Sequence, residues 1–171
     1  DNSVIRVRII SRNANDTFDE AFYERRLRHA VNYRKTVMKE DYACCRIIFG
    51  EADMFSGLTI DRFSNILVAE VNSLGIDKIK DFLFNKLVEI MNEDGQEIVG
   101  LYERNESNLR VKEGMEQYTG YYPLKNMKIP SFTSTTIVEN GIEYEVDFGS
   151  GQKTGFFLDQ RENRAAVGRL A

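Results

Sequence analysis

Three short runs of β-forming residues in close succession do most to limit what this chain can fold into. Cys44 to Phe49, Leu58 to Phe63 and Ile66 to Val71 are rich in branched and aromatic side chains, the composition that suits a pleated, half-buried surface. Ser64-Asn65 makes a short turn between the second run and the third. Ile76, Ile79, Leu83, Leu87 and Ile90 then step by three or four, which predicts a helix from about Ile76 to Met91. Asp94-Gly95 stops it, and Ile98 to Glu103 resumes strand. This strand–strand–helix–strand order predicts an α+β fold, a small mixed sheet covered by helices.

Upstream, Val4 to Ile10 alternates loosely and reads as a strand whose partners are not close in sequence. Thr17 and Glu20 have the spacing of a capping box, which starts a helix. Tyr23, Leu27, Ala30 and Val31 give that helix its buried stripe, while Arg25, Arg28, His29, Asn32 and Lys35 fall within about 120° of arc on the other side. This basic face is either a solvated surface or a contact for a polyanion. Charge is unevenly distributed. Residues 1–39 hold nine Lys and Arg against five Asp and Glu, within a chain whose net charge is −4. A polyanion therefore prefers the N-terminal end.

Downstream, periodicity loosens from Arg104 to Pro130. Tyr118, Tyr121 and Tyr122 lie near Lys125 and Lys128, so the stretch is either a long loop pinned by its tyrosines or a surface that stacks single-stranded RNA. Thr136 to Glu139 and Ile142 to Val146 flank Asn140-Gly141, a pair that accepts the positive φ angles of a type I′ turn and predicts a hairpin. A glycine-rich segment follows, from Asp147 to Arg161. Lys153-Thr154 invites a phosphate-loop reading, but the residue before Lys153 is Gln152 rather than glycine. A dinucleotide fingerprint fails at Thr154, where its third glycine belongs. Asp159 and Glu162 have start-signal spacing for a last helix through Ala166, Val167 and Leu170. A hairpin, a loop and one helix cannot close a core alone, so they either pack on the preceding unit or lean on a further domain.

The composition, 42% hydrophobic and 29% charged with two prolines, is that of an ordinary globular protein. No apolar run is long enough for a membrane span. Cys44 and Cys45 are adjacent, so on a strand they point to opposite faces and cannot bridge without strain. No metal-ligand spacing occurs. The chain opens with Asp1 rather than methionine, which suggests either processing or a boundary inside a longer sequence.

The string from Gly151 to Arg164, GQKTGFFLDQRENR, preceded by Glu139-Asn140-Gly141 and Val146-Asp147, resembles the entry to the catalytic domain of the large-subunit ribosomal RNA cytosine-C5 methyltransferase family. Arg46 to Asp61 and Tyr102 to Gly114 resemble that family's central domain, with Ser56 standing where the family usually has proline. The resemblance implies three parts. Residues 1–13 would be the exit strand of an upstream RNA-binding PUA-like domain. Residues 14–133 would be the central α+β domain. Residues 134–171 would be the hairpin, glycine loop and first helix of a truncated Rossmann-like methyltransferase domain.

It further implies S-adenosylmethionine (SAM) as cofactor of the full-length protein. Lys153 or Arg161 would meet the methionyl carboxylate, Asp159 or Gln160 would accept from its ammonium, and Phe156 and Phe157 would close an apolar wall. In the family's chemistry a cysteine thiolate adds to C6 of cytosine and makes C5 nucleophilic. Neither Cys44 nor Cys45 matches that cysteine, so the chain is expected to hold no catalytic residue, to bind no cofactor alone, and to be inactive by itself. Its role would be to position ribosomal RNA through Arg25, Arg28 and Lys35, in the cytoplasm, with a homodimer as a further candidate partnership. A non-catalytic RNA-binding module and a structural spacer are the competing readings.

Overall fold

The computed structural model describes residues 7–170. Helix α1 (Glu20–Met38) is followed by strands β1 (Cys44–Phe49), β2 (Leu58–Phe63) and β3 (Ile66–Val71), helix α2 (Leu74–Glu93) and strand β4 (Gly100–Asn105). A short helix α3 (Asn108–Lys112) leads to β5 (Tyr118–Tyr121), then to the hairpin β6 (Ser134–Glu139) and β7 (Ile142–Asp147), and last to α4 (Arg161–Gly168). The first five strands form one sheet in sequence order. Its pairs are antiparallel except β3 with β4, which are parallel and are joined across α2. The fold is α+β with a small mixed sheet.

The sheet is buried on both faces. On one side Leu27, Ala30 and Val31 of α1 and Leu83, Phe84 and Leu87 of α2 pack over Cys45, Ile47, Ile60 and Leu67. On the other, Ile137, Val146 and Phe148 cover Cys44, Phe63, Ile66, Val68 and Tyr102. The two cysteines thus point into different cores, as strand alternation requires. The hairpin segment solves its burial problem by packing on the preceding unit. Its turn residues Asn140 and Gly141 sit at φ 52° and 76°, the left-handed pair that a type I′ turn demands.

Several expectations need correction. Among the described residues of Val4 to Ile10, which are 7–10, none is in a strand, and Arg8 is anchored to Glu113 at 3.1 Å. Helix α1 is capped by Asp19, whose carboxylate accepts from the Phe22 N–H at 2.8 Å. Thr17 serves the cap indirectly, donating its hydroxyl to Asp19. Phe22 is buried at the head of the stripe where Tyr23 was expected, and Tyr23 is half-buried beside Phe55. The 104–130 stretch contains α3 and β5. Arg110, 2% exposed, holds α3 down by donating to the carbonyls of Val71 and Glu116 at 2.5 and 2.8 Å.

The tyrosines of that stretch are pinned. Tyr118 donates to Glu103 at 2.8 Å, Tyr121 to the Phe132 carbonyl at 2.7 Å and Tyr122 to Asp81 at 2.9 Å. Asp159 does not cap α4. It lies in a 3-10 turn, Leu158–Gln160, that precedes the helix, and the N-cap position is Gln160.

Candidate functional site

The glycine segment is fastened to the central sheet at its middle. Thr154, 3% exposed, donates its hydroxyl to Asp61 at 2.6 Å, and Asp61 accepts both arms of Arg46 at 2.7 and 3.0 Å. A fork of two charge-assisted bonds fixes Arg46 in one orientation, and Asp61 holds that guanidinium firmly protonated. Arg104 donates to the Gly151 carbonyl from β4. Gly155 lies so close to the neighbouring backbone that a Cβ would stand 2.9 Å from the Phe148 Cα. Only glycine lets the loop approach like this.

That fastening leaves a hollow of about 460 Å³ between α1, β1 and the Lys153–Arg161 segment. Tyr33, Arg34 and Val37 line it from α1, Arg46 and Phe49 from β1, and Lys153, Leu158, Asp159 and Arg161 from the far side. Its volume falls within the range of sites that take drug-sized ligands. Lys153 and Asp159 stand 3.3 Å apart at its rim, both side chains half-exposed or more. Asp159 is held below the usual carboxylate range, chiefly by the Gln160 amide and then by the Lys153 ammonium. Arg161 pairs with Asp41, which belongs to the 3-10 turn after α1, yet its buried Nε–H finds no acceptor among the described residues.

Of the six residues expected to face the cofactor, the fold brings Lys153, Asp159 and Arg161 together on this hollow. It does not bring Phe156, Phe157 or Gln160 to its lining. Phe156 turns away to pack against Tyr144 at 5.3 Å, with the Arg164 guanidinium 4.3 Å above its ring. Phe157 is 37% exposed beneath the Lys153 ammonium, and Gln160 donates its amide to Asp159. Cys44 and Cys45 form part of the floor as free, buried thiols. Burial pushes each up to about 12, so neither is a nucleophile near neutral pH.

The expected basic face divides. Arg28 is taken up by Glu24 and Glu93, and Lys35 by Asp94 at 2.6 Å, so the acidic end of α2 neutralises this side. Arg25 pairs at long range with Asp16, at 3.8 Å, and lies 5.9 Å from the Phe22 ring centroid. Sequence reasoning missed the other flank, where Tyr33 and Phe49 lie 54% and 55% exposed. The signal that could have found Tyr33 was the helical spacing of His29, Tyr33 and Val37, outside the buried stripe. Among the described residues no His, Cys, Asp and Glu cluster could hold a metal ion, and no helix is long and apolar enough to cross a membrane.

No family model matches the chain. It is 36% identical over 170 residues to ribosomal RNA large subunit methyltransferase I of Pseudoalteromonas translucida, covering 99% of this chain and 41% of that protein. The protein of the same name from Shewanella amazonensis is also 36% identical, over 171 residues, with the same coverage. The chain spans about two fifths of these relatives' length. Among solved structures, a protein from Streptococcus mutans described as a candidate SAM-dependent methyltransferase superposes with a TM-score of 0.69 at 21% identity. That match covers 93% of this chain and 38% of the other. A second structure with the same TM-score and identity is described as a candidate methyltransferase complexed with S-adenosylhomocysteine. At this identity the likeness is one of fold.

Proposed function

We propose that this chain is part of a SAM-dependent methyltransferase that modifies C5 of a cytosine in large-subunit ribosomal RNA, and that its share of the work is to position RNA beside the methyl donor. The observation that carries the reading is the 36% identity to ribosomal RNA large subunit methyltransferase I over 99% of the chain. The residues of the hollow fit the methionyl end of SAM, whose ammonium and carboxylate need partners of opposite sign side by side. Asp159 would accept from the ammonium, and Lys153 with the unpartnered Nε–H of Arg161 would meet the carboxylate. When bound, SAM supplies the electrophilic sulfonium methyl.

The chain's other residues hold this wall in place. Thr154 and Asp61 fix the loop against β2, and Arg164, donating to the buried Glu139 at 2.7 and 2.8 Å, fixes α4 against the hairpin. The neutral thiols of Cys44 and Cys45 support a nucleophile located elsewhere in the enzyme. The reading gives ribosomal RNA as the partner and the cytoplasm as the place of action. Deleting the gene and mapping large-subunit ribosomal RNA by bisulfite sequencing tests it. One cytosine should lose its protection, and the intact gene should restore it. An unchanged map overturns the proposal.

A further inference from the structure

The hollow has a second wall that the methyl donor does not need. Tyr33 on α1 and Phe49 at the end of β1 are 54% and 55% exposed, although both are large and ringed. They border one continuous depression, since both also line the adjoining cleft with Arg26, His29, Arg34 and Ala52. Each ring already has a guanidinium at its face. Arg34 sits 5.0 Å from the Tyr33 centroid and Arg46 sits 5.1 Å from that of Phe49. Both guanidiniums are immobilised from behind. Arg34 donates to the Arg46 carbonyl and pairs with Asp53 at 2.6 Å, while Arg46 is held by Asp61.

Two exposed rings beside fixed planar cations are the equipment of a site that stacks bases, because every base offers a π-face and the cations favour a polyanion. Phe63 on β2 and Tyr102 on β4 are buried, whereas Tyr33 and Phe49 stand in water, and covering their rings on binding recovers hydrophobic free energy.

We infer that Tyr33 and Phe49 form a stacking platform for unpaired nucleotides of single-stranded RNA, delivering one of them into the hollow beside Lys153 and Asp159. This rests on the proposed function for its occupant, but not for its geometry. Duplex RNA does not fit, since its bases are already stacked on one another. Because Arg34, Arg46 and Lys153 are each paired with a carboxylate, they neutralise few phosphates outright. Binding is carried by stacking and its salt dependence is shallow, about one or two phosphates' worth.

The chain contains no tryptophan, so Phe49→Trp installs a single fluorescent reporter on the platform. Titration of the 171-residue F49W protein with a single-stranded oligoribonucleotide should quench its emission, and a duplex of equal length should not. Tyr33→Ala in that background should weaken binding about tenfold, with Tyr33→Phe restoring most of it. Both positions are exposed, so unchanged circular dichroism will show that the variants fold.

Equal quenching by the duplex, or affinity indifferent to Tyr33→Ala, overturns the inference. Quenching by SAM or adenosine alone would assign the platform to the donor's nucleoside and overturn it likewise. A blue shift that grows with protein concentration and needs no RNA would make it a face between protein copies. The two readings fail separately. A lost methylation in the deletion strain with no RNA quenching sinks only the platform, and RNA quenching with an unchanged methylation map sinks only the methyltransferase.

Discussion

Thr154 shows how one residue can couple two segments that lie far apart in the chain. Its hydroxyl is a third ligand on a carboxylate that Arg46 already holds, and all three groups lie at the boundary between β2 and the glycine loop. Removing one donor from a buried charged acceptor costs about 2 kcal/mol. Thr154→Val should therefore lower stability in urea by about that amount, while Thr154→Ser, which keeps the donor, should lower it by less. Asp159 lies at the opposite extreme, with its side chain 60% exposed and supporting little of the fold. Asp159→Ala in the methylating enzyme should raise the KM for SAM several-fold at an unchanged melting temperature. A lowered melting temperature with unaltered KM would leave it a fold residue alone.

The buried thiols add a pH dependence of defined sign. In the unfolded chain each ionises near its ordinary value of 9, whereas in the fold each stays protonated to about 12. The folded state thus binds more protons than the unfolded state between these limits. Stability is complete below about pH 9 and falls above it, by up to about 1.4 kcal/mol per pH unit for each thiol. Urea midpoints measured from pH 8 to pH 11 should decline accordingly, and Cys44→Ala with Cys45→Ala should flatten the decline.

At the scale of elements, legibility followed length, in runs of β-forming residues for the strands and in helical spacing for α1 and α2. Strands β1, β2 and β3 begin and end where their runs of branched and aromatic residues do, and Asn140-Gly141 turns its hairpin as its φ angles demand. Gly141→Ala, forcing a Cβ into the left-handed region at φ 76°, should cost about 1 kcal/mol in the same urea assay. Helix α3 and strand β5 escaped notice because nothing periodic marks five-residue and four-residue elements. They are specified instead by long-range partners, Arg110 on the Val71 carbonyl and Tyr118 on Glu103.

The capping residue was misplaced for a different reason. Thr17 and Asp19 are both good caps, and only the geometry of the Phe22 N–H decides between them. The site divides along the same line. Lys153, Asp159 and Arg161 were singled out through the family resemblance and the fold gathers them on one hollow, but nothing in the sequence named their opposing wall. Arg161 meets Asp41 across 120 residues, and no local pattern brings Tyr33 and Phe49 to face them.

For the whole molecule the question is whether the hairpin layer and the helix layer stand or fall together. Their shared sheet is a single layer with an apolar core on each side, so loss of either covering layer exposes the face it covered. Polar ties fasten the hairpin layer to the shared sheet, Thr154 to Asp61 and Arg104 to Gly151, and Arg161 reaches Asp41 in the turn after α1. This predicts a single cooperative transition. Adjacent cysteines provide the means to test it, because Cys44 faces the hairpin core and Cys45 the helix core. Pulse alkylation along a urea gradient, with mass spectrometry to locate each label, should give both thiols one midpoint. Protein alkylated at Cys44 while Cys45 stays protected would mean the hairpin layer peels away first, and the sheet would then be held by its helices alone.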